Sequence, residues 1–294
     1  MNGTHNGIVV GVDGSPAARV AVDWAAREAS ARQVPLTLIH VIPWATLGMW
    51  PELPMPADLA TQFDRQGHDI LSAANQTAVE ATRGSQPIQV STELTTDGVV
   101  STLVERSKGA DLVVVGCRGL GAISRRLLGS VSWGLLHHSH CPVAVIHDED
   151  PLMPTPAMAP VVVGIDGSQA SEKATAIAFD EAARRGVELV AVHAWSDAAV
   201  DEFPGLQWSD LEKRAEEALA EALAGWQERY PDVAVRRVVV MARPAHELLK
   251  YSESAQLTVV GSHGRGGFAG MLLGSVGAAV AESARMPVIV ARPS

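Results

Sequence analysis

Two short stretches of this chain combine residue types that could do chemistry, and each is written twice. Asp13-Gly14-Ser15 and Asp166-Gly167-Ser168 close an apolar run, and a second apolar run leads into Gly116-x2-Gly119-x9-Gly129-Ser130 or Gly261-x2-Gly264-x9-Gly274-Ser275. Glycines without side chains let backbone N–H groups approach a ligand, and positive φ is expected at Gly116, Gly119 and their counterparts. Each Gly-Ser pair is expected to open a helix, whose first N–H groups lack intrahelical partners and whose dipole favours an anion. Ser130 and Ser132 would add hydroxyl donors, so a phosphate chain suits the set. The alternative is a glycine-rich turn that only lets strand, loop and helix pack. Arg118, Arg125 and Arg126 align with His263, Gly270 and Met271, so the copies share backbone and hydroxyl chemistry rather than cations. Neither loop contains Gly-Lys-Ser or Gly-Lys-Thr, and no dinucleotide-type glycine spacing follows the first apolar run.

The elements that must position these residues follow from the repeat. IVVGVDGSPAA (8–18) aligns with VVVGIDGSQAS (161–171) at an offset of 153, which also carries His40 onto His193; further on the offset is 145, carrying Gly116 onto Gly261. The eight residues by which the first copy is longer are expected in the Trp- and Pro-rich stretch 43–56. The reading is two domains, 1–147 and 161–294, joined by a proline-rich linker over 148–160. Within a copy, apolar runs alternate with helical patterns, the pattern of a parallel sheet covered by helices. In the first copy the strands are expected at 8–12, 36–41, 88–94, 112–116 and 142–146. The first and fourth are apolar throughout, as strands buried on both faces should be. In the second copy, residues 211–226 place Leu211, Ala215, Ala218, Leu219, Ala222 and Trp226 on one expected core-facing stripe. The fold class is therefore α/β, with two tandem Rossmann-like five-stranded parallel-sheet domains. In such sheets ligands sit at the carboxyl ends of strands where the strand order reverses. With strand one central, that crevice lies between strands one and four, where the aspartate turns and glycine loops are.

Composition narrows the function classes. The 294-residue chain has a formal net charge of −10, which disfavours nonspecific nucleic-acid binding. It has no apolar run of the ~18 residues a membrane span needs, and its first residues lack the pattern of a signal peptide. Two cysteines, Cys117 and Cys141, make no disulfide framework and fit a reducing cytoplasm. His137, His138 and His140 could hold a transition metal, but an exposed helix C-terminus accounts for them more simply. Oxidation of Cys117 would offer a redox switch, against the simpler need for a small residue there. His40 and His193 are expected to set local hydrogen bonds. Trp44 and Trp50 could cover a ligand or a partner, or simply pack on the surface.

The complete motif, with its aspartate at the end of strand one, resembles the ATP-binding class of universal stress proteins, and the duplication resembles the tandem members found in mycobacteria. The resemblance covers nearly the whole chain. It implies the adenine nucleotide alpha-hydrolase-like fold and ATP as ligand, with Asp13 and Asp166 beside the nucleotide, where each carboxylate could hold Mg²⁺ directly or through water. It places Val12 and Ile165 beside those aspartates, and Val41 and Ala194 against the base. Gly116, Arg118, Gly119, Gly129, Ser130, Val131 and Ser132 would hold ribose and phosphates in the first copy. Gly261, His263, Gly264, Gly274, Ser275, Val276 and Gly277 would do so in the second. Gly277 replaces Ser132, so a hydroxyl donor is missing and the second site is expected to be weaker. The last strands, 142–146 and 287–291, would join the domains, and the chain would form a homodimer. One shared carboxylate per site, with no shared lysine, argues for binding with slow turnover at most, and the resemblance implies a nucleotide-dependent regulator of stress response, dormancy or growth that acts on a protein partner. The alternatives are a slow ATPase in which turnover is the signal and a scaffold that binds no nucleotide.

Overall fold

The computed structural model describes residues 7–42, 57–119, 128–147, 158–195, 208–264 and 273–292. The chain divides into two compact units, 1–148 and 149–293. The first runs β1 (Ile8–Gly11), α1 (Pro16–Arg32), β2 (Leu36–Val41), α2 (Ala57–Ala81), β3 (Val90–Thr95), α3 (Val99–Ser107), β4 (Leu112–Gly116), α4 (Ser130–His138) and β5 (Val143–Ile146). The second runs β6 (Val161–Gly164), α5 (Gln169–Arg185), β7 (Leu189–Trp195), α6 (Trp208–Arg229), β8 (Val235–Met241), α7 (Pro244–Ser252), β9 (Leu257–Gly261), α8 (Ser275–Ser283) and β10 (Val288–Ala291). Within the first unit the strands lie in the order β3-β2-β1-β4-β5, every pair parallel. Within the second the order is β8-β7-β6-β9-β10, again parallel throughout. The order reverses between β1 and β4 and between β6 and β9, as expected.

Register holds the two copies to one plan. Ile8 pairs with Leu36 on one side and Leu112 on the other, and Val161 pairs with Leu189 and Leu257. Ile8, Val9 and Val10 are at most 1% exposed, as are Leu112, Val113 and Val114, which is why these strands read as unbroken apolar runs. On α1, small residues such as Ala18, Ala21, Ala25 and Ala29 form the face that lies on the sheet. Ser15 caps α1 by accepting from the Ala18 N–H (3.1 Å), with Pro16 next, and Ser168 caps α5 through the Ser171 N–H (3.2 Å).

Two expectations are corrected. The eight extra residues do not sit in 43–56 alone. The offset is 148 at the ends of α2 and α6 (Ala81, Arg229) and 145 at Val90 and Val235. The turn after the helix therefore takes three of the eight. On α6 the buried stripe runs through Leu219 and Leu223, whereas Ala218 and Ala222 are exposed. The larger apolar side chains take the face with more area to bury. Trp226 does lie on that side, its ring 6.1 Å from Phe179. The linker expected over 148–160 lies outside the described residues except for 158–160, as does the whole of 43–56 with Trp44 and Trp50.

Candidate functional site

Each aspartate is fixed by the backbone that follows it. β1 ends at Gly11, and Val12 continues its path, its N–H bonded to the Ile39 carbonyl at 2.9 Å. The Val12 carbonyl accepts the imidazole Nδ1–H of His40 at 2.7 Å. Asp13 comes next, and its Oδ1 accepts the Ser15 N–H at 2.9 Å. That turn needs a left-handed residue between them, and Gly14 supplies it at φ +82. The second copy repeats the arrangement: His193 bonds to the Ile165 carbonyl at 2.7 Å, Asp166 accepts from Ser168 at 2.9 Å, and Gly167 has φ +78. His40 and His193 thus hold the carbonyl before each aspartate, the local role expected of them.

The glycine loops come up against these turns, though for reasons other than those expected. Gly116, Gly119 and their counterparts are not among the glycines with positive φ. Gly116 has no room for a side chain, since a Cβ there would stand 2.9–3.0 Å from Ala17 in the first turn of α1; at Gly261 the clash is with Ala170 and Ser171. At Gly119 a Cβ would meet Asp13 Oδ2 at 2.6 Å, and at Gly264 it would meet Asp166 Oδ2 at 2.6 Å. In both copies the strand-one carboxylate therefore lies on the loop. The second copy adds a tie, Ser168 Oγ donating to the His263 carbonyl at 3.1 Å.

After the x9 segment the chain returns to the same place. The Gly129 N–H donates to the Cys117 carbonyl (2.8 Å), and the Gly274 N–H to the Ser262 carbonyl (2.6 Å). Gly129 and Gly274 are helix N-caps, and the first intrahelical bonds start at Trp133 and Ala278. The N–H groups of Ser130, Val131 and Ser132, and of Ser275, Val276 and Gly277, thus have no intrahelical acceptor. Ser132 does not serve as expected. Its Oγ is buried and donates to the Gly116 carbonyl at 2.8 Å, so the hydroxyl ties loop to helix. At Gly277 a Cβ would stand 2.9 Å from the Gly261 carbonyl. The missing hydroxyl in the second copy is therefore a missing tie, and the reason given for a weaker second site falls away.

In the second unit these pieces open onto a cavity of about 440 Å³. Its lining includes all ten positions expected there: Ile165, Asp166 and Ala194, together with Gly261, His263, Gly264 and the run Gly274–Gly277. Sequence reasoning missed Trp195, Pro244 and Leu248, which add an apolar wall from β7 and α7. In the first unit the expected residues stand at the same strand and helix ends. Val12 and Val41 are 6% exposed, Val131 is half-buried, and Ser130 is exposed. Arg118 directs Nε at Cys117 Sγ, 3.4 Å away. Arg125, Arg126, Gly270 and Met271 lie outside the described residues.

The remaining candidates are placed elsewhere or engaged otherwise. His137 Nδ1–H donates to the Trp133 carbonyl at 2.8 Å and its ring lies 4.6 Å from that indole. No group of three His, Cys, Asp or Glu side chains among the described residues could hold a metal ion. Cys117 is 4% exposed, which keeps it from solvent oxidants. Burial pushes the Cys141 thiol up to about 11. No helix among the described residues is long and apolar enough to cross a membrane.

Comparison with known proteins agrees with this architecture. The profile of the universal stress protein family matches residues 5–147 and again 158–292. A universal stress protein of Mycobacterium tuberculosis is 56% identical over 288 residues, 98% of this chain and 97% of its own length. Another, from Mycobacterium bovis, is 54% identical over 290 residues, 99% and 98% of the two chains. Among solved structures, a universal stress protein from Archaeoglobus fulgidus has a TM-score of 0.72 at 20% identity, covering 99% of this chain and all of its own, a likeness of fold.

Proposed function

Because the chain belongs to the universal stress protein family, in two tandem domains, we propose that it is an ATP-binding regulator of stress response, dormancy or growth, with one nucleotide site per domain. The observation that carries this reading is the domain-two cavity. It joins a helix N-terminus suited to phosphates, a carboxylate turn, and an apolar wall suited to a base. Its volume falls within the range of small-molecule sites. Asp13 and Asp166 would hold Mg²⁺ directly or through water, the other ligands coming from phosphate oxygens and solvent. One carboxylate lines the cavity among the described residues, and no lysine does. That composition supports occupancy, rather than turnover, as the signal. The proposal includes a cytoplasmic homodimer and a protein partner that reads the occupied state.

The test is to denature the purified chain and count the nucleotide released. Close to two ATP per chain is expected, and mostly ADP would instead favour slow hydrolysis. If none is released, ATP titration of thermal stability decides. Saturation at 100 times Kd should add ~2.7 kcal/mol per site, and no shift at millimolar ATP refutes the reading.

A further inference from the structure

The two sites of this chain are not equivalent, and the difference lies on the apolar wall. In domain two that wall includes Trp195, the last residue of β7, with Pro244 and Leu248 of α7. Carried back by the repeat offsets, these positions are Ile42, Val99 and Leu103. Leu103 and Leu248 do the same work in both copies. Each packs on the glycine that ends the first strand, leaving 2.8 Å for a Cβ at Gly11 and 3.0 Å at Gly164. Trp195 and Ile42 do not correspond in this way. Ile42 is 2% exposed and belongs to the core of its domain, whereas Trp195 is half-buried and lines the cavity. The neighbouring positions are Ala194 in domain two and Val41 in domain one, so the smaller residue stands beside the indole. The aspartate turn differs as well. A Cβ on Gly14 would meet Ile70 of α2 at 3.2 Å, while a Cβ on Gly167 would meet nothing within 4 Å among the described residues.

The topology separates the two kinds of wall. The N–H groups come from the β9–α8 side and the indole from β7, on the opposite flank of β6, two strand spacings or about 10 Å away. A ligand filling this cavity has its anionic end at α8 and a flat apolar group at Trp195. The part of the indole that lines the cavity is an aromatic surface that gains by stacking, and any nucleobase offers the matching face. Purines offer more of it than pyrimidines.

Resting on the nucleotide reading above, we propose that domain two holds its nucleotide by stacking the base on Trp195, and that domain one, with Ile42 buried, does not. Domain two is then the base-reading site, with a preference for purine over pyrimidine nucleotides, and domain one discriminates less. The experiment titrates the nucleotide-free full chain calorimetrically with ATP, CTP and inorganic tripolyphosphate, for wild type, Trp195→Ile and Trp195→Phe. In Trp195→Ile, one of two ATP sites should weaken by about ten-fold or more, and its preference for ATP over CTP should fall. Tripolyphosphate binding should stay unchanged, and Trp195→Phe should restore most of the ATP affinity. Two unaltered ATP sites in Trp195→Ile overturn the inference while leaving the nucleotide reading intact. Joint loss of ATP and tripolyphosphate that Phe does not restore also overturns it, because the indole is then a prop for the fold. A wild-type chain that binds neither ligand overturns both.

Discussion

The glycine loop offers a prediction in which two neighbouring substitutions of the same kind should fail in different ways. In Gly116→Ala the new methyl stands 2.9 Å from the Ala17 carbonyl carbon and 3.0 Å from its Cβ and oxygen. Two of those atoms are backbone of the first turn of α1, so β4 and α1 must part by several tenths of an ångström. Overpacking of this kind costs about 1–3 kcal/mol. In Gly119→Ala the methyl meets Asp13 Oδ2 at 2.6 Å, and the next atom, Asp13 Cγ, is 3.7 Å away. A carboxylate tip can rotate, so the fold loses little beyond the Asp13–Ser15 bond. That bond is half-exposed and contributes about 1 kcal/mol. The site, however, loses the placement of its carboxylate. The assay is chemical denaturation of the full chain with and without saturating ATP. Gly116→Ala should lower stability in both conditions and keep most of the ATP-linked increment. Gly119→Ala, with Gly264→Ala for the second site, should lose that increment from a nearly normal baseline. Gly225→Ala is the control, because it is exposed on α6, is not part of the cavity lining, and its Cβ would meet no described atom within 4 Å. A Gly119→Ala, Gly264→Ala chain that keeps the full ATP increment would show that the carboxylate has no part in binding.

Three further outcomes are expected. Ser132→Ala should cost about 1 kcal/mol of domain-one stability by removing the Oγ tie to the Gly116 carbonyl, with little change in ATP affinity; the reverse in paired calorimetry and denaturation would return the hydroxyl to the ligand. Thr258→Val should raise domain-two stability by about 1 kcal/mol in urea melts, because the Thr258 hydroxyl is buried without an acceptor and domain one has Val113 there. Burial raises the Cys141 thiol from 9.0 to about 11, so its contribution, about 2–3 kcal/mol, is fully present below pH 9 and is lost as pH rises through 11; Cys141→Ala should flatten that part of the alkaline stability profile.

Which parts of this molecule were legible beforehand depends on how locally each is determined. The strands β1 and β4 declare themselves because burial on both faces leaves no polar position, and Asp13 and Gly116 follow from where those strands end. The wall formed by Pro244 and Leu248 does not declare itself. It depends on how α7, which follows the edge strand β8, lies over β6 and β7, and no local pattern encodes that. The glycines show a different limit. Their spacing identifies the loop, but a missing Cβ reads the same whether the space serves Ala17, Asp13 or a ligand. Ser132 misleads for a similar reason, because a hydroxyl near a helix start can face outward or back onto the loop. On α6, helical spacing alone took in Ala218 and Ala222 and passed over Leu223, and side-chain area decided for the leucine.

The histidine that holds the carbonyl before each aspartate also fixes its own state. Because the Val12 carbonyl can only accept, Nδ1 of His40 must carry the proton, and the same holds for His193 and Ile165. That leaves Nε2 as the ring's acceptor and fixes one tautomer in each copy. A residue usually read as a chemical actor is used here as a fastener, so each aspartate turn starts from a carbonyl whose direction is already set.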